Sequence, residues 1–186
     1  MKRKMCSALI ILSLVALSVL GYEYFGEAET SGLVWGFSES YETLDELKAE
    51  ADLVVRAHVP LYYDIREIGE AEKVTRQAFY EVVIEEVFAD HTGHNVDVES
   101  EIIVNQVIGI RDAEATEFAY DKGMKPMKAG DYLLFLKKVI NPADGKVYYV
   151  SNSHQHLYKW RGNEKFKNIA SDELMEINYS ELIGGR

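Results

Sequence analysis

The segment that most restricts the fold is Tyr132-Leu133-Leu134-Phe135-Leu136, an unbroken apolar run between Asp131 and Lys137. The run is too short for a buried helix, and alternate side chains of an extended chain point to opposite faces, so a strand here must be covered on both sides. The chain therefore needs a sheet with an apolar layer against each face of this strand. Other apolar patterns supply its neighbours. Leu53, Val55, Ala57 and Val59 alternate through a β-branched run that Pro60 closes. From Val74 onward Ala78, Tyr80, Val82 and Ile84 keep the same period, which then slips to set Val87 beside Phe88 around Glu85-Glu86. A late slip in a long strand predicts a bulge that bends it.

Beyond the loop Asp90-His91-Thr92-Gly93-His94-Asn95, the residues Val96, Val98, Ile102, Val104 and Ile108 continue as a partner strand or strand pair. Residues 109–130 keep no apolar period and read as a long connection ending in Lys128-Ala129-Gly130. Asn141-Pro142-Ala143-Asp144-Gly145 is a turn, so Lys146 to Ser151 returns as a hairpin arm, and His154 to Trp160 makes one more strand. Thr43 and Glu46 form a capping box ahead of Leu44, Leu47 and Ala51, which predicts a short helix before the sheet. Ser171 caps a second helix carrying Leu174, Met175, Ile177 and Leu182, with Gly184 as its stop. The expected fold is mainly β: a small antiparallel barrel, OB-like and closed or partly open, of about six strands, with one helix before it and one at the C-terminus.

The order of these elements resembles a group of poorly characterised bacterial exported proteins with small barrels related to the OB-fold. The resemblance rests on Ala51-Asp52-Leu53-Val54-Val55-Arg56, the strand Tyr80 to Phe88, and Ala129-Gly130-Asp131 running into Tyr132 to Leu136, and it covers residues 44–160. Its motifs specify packing, so it implies a fold and no catalytic residue.

The N-terminus predicts export. Lys2, Arg3 and Lys4 precede the uncharged run Ala8 to Leu20, and positive residues before an apolar segment stay on the cytoplasmic side. Residues 1–25 are thus an apolar helix acting as signal anchor or cleaved signal peptide, 26–40 a tether, and 41–186 a single β-barrel domain. The expected location is the cell membrane with the domain on its outer side, or outside the cell if cleavage occurs. Cys6, the single cysteine, precedes the apolar run, so the exported part has neither disulfide nor thiol nucleophile.

A net charge of -11 excludes a general nucleic-acid binder, yet the charge is segregated. Residues 77–110 carry seven acidic side chains and no Lys or Arg, whereas 122–168 carry ten basic against three acidic. One reading is internal balance between neighbouring strands. The other is that Lys122, Lys125, Lys128, Lys137 and Lys138 face an anionic wall polymer or membrane surface.

Four histidines fall into two pairs, His91 with His94 in a loop and His154 with His156 on the expected strand. Residues two apart on a strand share a face, so both pairs could meet one divalent transition ion such as zinc, copper or nickel, with Asp90 and Asp97 as nearby oxygen donors. The alternative is polar loop residues and a packed strand face. His154, His156, Tyr158 and Trp160 would also set four rings along one face, able to stack on a ligand such as a sugar or to fill the core. Ser151 and Ser153 lie near His154 without a nucleophile elbow or an oxyanion loop, and no phosphate-binding glycine motif is present. The sequence therefore predicts a non-catalytic envelope binding or accessory protein. Its contacts would be the membrane, through the N-terminal segment, and an envelope polymer or a membrane protein. The alternative is a metal-binding envelope protein using His91, His94, His154 and His156. No further cofactor is implied.

Overall fold

The computed structural model describes residues 40–70, 72–120, 124–141, 144–151, 154–172 and 174–184. The segment expected to direct export, residues 1–25, and most of the expected tether, residues 26–40, lie outside the described residues, and no described helix is long and apolar enough to cross a membrane.

A short helix, α1 (Leu44–Glu50), opens the fold. Its capping box forms as expected: the Thr43 hydroxyl accepts the Glu46 N–H at 3.2 Å, and the Glu46 carboxylate accepts the Thr43 N–H at 3.2 Å. Nine strands follow: β1 (Leu53–Val59), β2 (Asp64–Glu70), β3 (Lys73–Asp90), β4 (Glu101–Asp112), β5 (Gly130–Ile140), β6 (Val147–Ser151), β7 (Leu157–Trp160), β8 (Lys165–Asn168) and β9 (Glu176–Asn178), and helix α2 (Tyr179–Ile183) ends the described chain. The architecture is mainly β. β1 uses both edges, pairing with β3 on one side and β5 on the other. β3 pairs with β4, β4 runs parallel to β6, and β6 returns antiparallel to β5. The other strands leave this path: β2 lies on β3, while β7, β8 and β9 extend from β5.

Three expectations need correction. Among the described residues there are nine strands instead of about six, and the β4–β6 pair makes the sheet mixed. The nine-stranded sheet is also not a closed barrel, because β2 and β7–β9 branch away from the strands that β1 brings together. β2 escaped the sequence reading because most of it is exposed and lacks an alternating apolar face. It is held as a hairpin on β3, where Gly69 has φ +131° and any Cβ would stand 2.2 Å from the Lys73 carbonyl oxygen. The C-terminal region differs as well. Leu174 adopts φ 45° and breaks the helix expected from Ser171; Glu176–Asn178 pairs with β8, and the helix starts only at Tyr179. Ser171 instead donates its N–H to Asn168 Oδ1 at 2.6 Å.

The bulge is present, and doubled. Pairing to β1 skips Phe88, between Val54↔Ala89 and Val55↔Val87, and skips Glu85, between Arg56↔Glu86 and Ala57↔Ile84. Two cores form on the two faces of β1 and β5. Leu53, Val55, Ala57, Tyr132, Leu134 and Leu136 pack with β3, β4 and Tyr149. Val54, Leu133 and Phe135 pack with Tyr158, Phe166, Ile177, Leu47 and Leu182, so the β7–β9 extension and both helices cover the second face. The double burial deduced for Tyr132–Leu136 is thus the organising feature of the domain.

That arrangement makes truncation costly on either face. Leu134→Ala and Phe135→Ala, which empty different cores, should each lower unfolding stability by about 3–5 kcal/mol. Urea denaturation checks this, and a near-neutral result for either variant would mean that its face is not covered.

Candidate functional site: a cationic cavity

The loop between β4 and β5 carries Lys125 and Lys128, and buried polar groups fix its path. Gln106, wholly buried in β4, donates from Nε2 to the Lys125 carbonyl at 2.9 Å and accepts the Met127 N–H on Oε1 at 3.2 Å. Tyr80 donates its O–H to the same Oε1 at 3.2 Å, and its oxygen accepts the Met127 N–H at 2.9 Å. The Tyr132 oxygen accepts the Lys128 N–H at 3.2 Å. Met127 itself packs into the first core. Burial raises the Tyr80 phenol well above its ordinary range and also raises that of Tyr132, so both remain neutral hydrogen-bonding groups.

This clamp leaves the two lysine side chains outside, where they meet two cations from β7 and the residue that follows it. A cavity of about 280 Å³ is lined by Lys125, Lys128, Lys159 and Arg161, with Tyr132, Pro126, Ile169 and Ala170. Lys159 stands opposite Tyr132 in the β5–β7 pairing, places Nζ 5.3 Å from the Tyr132 ring centroid and donates to the Ala129 carbonyl at 3.1 Å. Gly130 makes room for it: φ is +135°, and a Cβ there would lie 3.3 Å from Lys159 Cε. Among the described residues, none of the four cations forms an ion pair with a carboxylate. Several other cations of the domain have carboxylate partners. Arg76 binds Glu67 at 2.7 Å, Lys165 binds Glu176 and Lys137 binds Glu50 at 3.1 Å.

The basic stretch read from the sequence therefore divides. Lys125 and Lys128 enter the cavity; Lys137 pairs with Glu50, and Lys138 Nζ donates to the Thr92 carbonyl at 2.7 Å. Lys122 lies outside the described residues. Lys159 and Arg161 were missed, although their spacing puts them on one face of a strand end, because the rings of Tyr158 and Trp160 dominated that segment. Those rings pack inward. Tyr158 is fully buried with its ring edge-on to Phe135, and half-buried Trp160 meets Phe166 with ring centroids 4.7 Å apart. A larger groove of about 690 Å³ next to Pro126 is chiefly apolar, lined by Ile65, Ile108, Met124 and Tyr120, and its Arg76 is already held by Glu67.

The histidine pairs stand differently from expectation. His154–His156 is a single 3₁₀ turn preceding β7, so the strand alternation that would align 154 with 156 does not apply. Nothing is described of the His154 side chain. His156 is wholly buried and stacks on Tyr41, with ring centroids 6.0 Å apart, and neither ring nitrogen has a hydrogen-bond partner. His91 and His94 are exposed in a loop organised by Asp90, whose carboxylate accepts the N–H groups of Thr92 and Val96 at 2.9 and 3.0 Å. Burial pushes the Asp90 carboxyl up, but the Thr92 hydroxyl, which donates to it at 2.6 Å, and these two N–H groups outweigh it and hold the group below its usual value. Among the described residues, no convergent group of three ligating side chains includes His91, His94 or His156.

Set beside known proteins, the chain matches no family model, no curated protein and no solved structure. What the fold and cavity define is a class: a mainly β domain that exposes an unpaired cationic cavity on an acidic chain.

Two outcomes follow from these environments. Burial first, and Lys137 second, hold His156 down to about 3, so below the unfolded value near 6.5 the unfolded chain takes a proton that the folded one refuses. Stability should fall as pH drops from about 6.5, by about 2 kcal/mol at pH 5, while His156→Phe escapes this component. Paired denaturation curves at pH 7 and 5 measure it; equal pH dependence in the two proteins would refute it. Separately, Gln106→Leu should cost about 1–3 kcal/mol by stranding the Lys125 carbonyl, and amide hydrogen exchange should rise in residues 124–128.

Proposed function

We propose that this protein is a non-catalytic binding module of the bacterial cell envelope that holds an anionic envelope polymer in the cavity of Lys125, Lys128, Lys159 and Arg161. The observation that carries the reading is the gathering of four cations that have no carboxylate partner among the described residues, on a chain of net charge -11. Like charges brought together repel, and exposed acidic groups are abundant here, so a neutralised surface would be easy to build. Leaving the four unpaired keeps a local positive field that an anion relieves on binding. Their mixed donors suit phosphate or carboxylate: the Arg161 guanidinium offers a planar fork and the lysines point charges.

Two further features support the reading. Lys2-Arg3-Lys4 before Ala8–Leu20 directs the domain outward and keeps it at the membrane, where anionic polymers are plentiful. The mainly β architecture, in which β1 pairs with both β3 and β5, supports the resemblance to OB-related exported domains, although the sheet is not a closed barrel. Such domains are commonly binding modules, and the likeness adds weight only as analogy.

Fluorescence anisotropy with labelled inorganic polyphosphate and with labelled polyglutamate tests the proposal. The full-length protein should bind at least one of them at low ionic strength and lose affinity steeply as salt rises. Lys125→Glu/Lys128→Glu should weaken binding at least about tenfold, as should Lys159→Glu/Arg161→Glu. Reversal at Lys146, an exposed lysine in the turn between β5 and β6 and outside the cavity, should leave affinity nearly unchanged. Failure of the wild type to bind either polymer, or equal losses in the cavity and Lys146 variants, would overturn it.

A further inference from the structure

We propose that His58, Glu85 and Asp131 form a second site, for a divalent transition ion of zinc-like chemistry, independent of the cationic cavity. The three residues come from three adjacent strands. His58 on β1 stands directly opposite Asp131 on β5, and their side chains meet with Nδ1 2.7 Å from Oδ1. Glu85 arrives from the other edge of β1 because it is the residue skipped by the β1–β3 pairing. Regular alternation inward from Ile84 would turn Glu85 and Glu86 to opposite faces. The bulge leaves both half-buried beside Arg56, which lies 3.6 Å from Glu85 and 3.5 Å from Glu86. One donor atom from each of His58, Glu85 and Asp131 then lies within 4.8 Å of the others.

That spacing suits a metal. Zinc takes imidazole nitrogen and carboxylate oxygen at about 2.0–2.2 Å, which sets neighbouring donors about 3.4 Å apart, so on binding Glu85 turns inward and the His58–Asp131 pair, now at 2.7 Å, opens slightly. An imidazole among oxygen donors selects a transition ion over calcium or magnesium. The His58 side chain is 54% exposed, so the site is open to water, which can complete four-coordination.

Charge argues in the same direction. Glu85, Glu86 and Asp131 face a single guanidinium, that of Arg56, leaving two negative charges when His58 is neutral. Glu86 also accepts the Tyr179 hydroxyl at 2.6 Å and stays with Arg56, so Glu85 can turn to an ion without stranding the arginine. A doubly charged cation balances the patch. To bind, the ion must displace the hydrogen bond between His58 Nδ1 and Asp131 Oδ1.

Isothermal titration of zinc chloride into metal-stripped, full-length protein in detergent near neutral pH is the test. One zinc per chain should bind the wild type, and His58→Ala and Glu85→Gln should each bind at least about tenfold more weakly. His91→Ala/His94→Ala should match the wild type. Zinc-free melting curves establish that each variant is folded, and Glu85→Gln, nearly isosteric and half exposed, decides the matter if His58→Ala does not fold. Absence of saturable zinc binding, or wild-type affinity in Glu85→Gln, overturns the proposal. Loss confined to the loop variant would assign the metal to His91 and His94 and overturn it equally.

Discussion

The structure depends on one strand buried on both faces. β5 places Tyr132, Leu134 and Leu136 in one core and Leu133 and Phe135 in the other, while its edges carry β1 on one side and β6 and β7 on the other. A one-residue slip would exchange the two sets and mismatch both cores at once, so its register is fixed from two sides. The register in turn sets the chemistry at its N-terminal end. Gly130 admits Lys159, Asp131 meets His58, and Tyr132 holds the Lys128 backbone. Three consecutive residues, pointing in alternate directions, link the fold to both candidate sites.

The buried polar groups extend that control to the loop before β5. A connection with little apolar content has no core of its own to hold it, and here Gln106, Tyr80 and Tyr132 satisfy its backbone from inside the first core. The lysines of this loop are consequently presented from a rigid base. Because Lys125, Lys128 and Arg161 are exposed, water screens their mutual repulsion, and the cluster can exist without carboxylate partners.

How much was legible in the residues follows from which forces act locally. The Thr43–Glu46 capping box, the Asn141–Gly145 turn, the bulge near Glu85 and the core position of Tyr132–Leu136 depend on short-range geometry and alternation, and each appears in the structure. β2 did not show itself, since its exposed residues carry no periodic signal and only pairing to β3 makes them a strand. The C-terminal helix was overextended because Leu174, Met175 and Ile177 have helical spacing, whereas pairing of Glu176–Asn178 with β8 wins. In the cationic cavity, Lys125 and Lys128 were singled out by composition; Lys159 and Arg161, more than thirty residues away, were not. His58 was passed over beside two histidine pairs, because its partners lie on neighbouring strands.

By itself, then, the sequence determined that this chain builds a β-rich domain around a doubly buried strand, with its charges segregated along the chain. Alternation, turn chemistry and capping are properties of adjacent residues and can be read there. Tertiary structure alone decided that β4 and β6 run parallel, that β7–β9 cover the second face, and which cations and which carboxylates meet. Those outcomes depend on strand register and on bulges that redirect single side chains, which bring together residues whose separation in sequence carries no trace of their proximity.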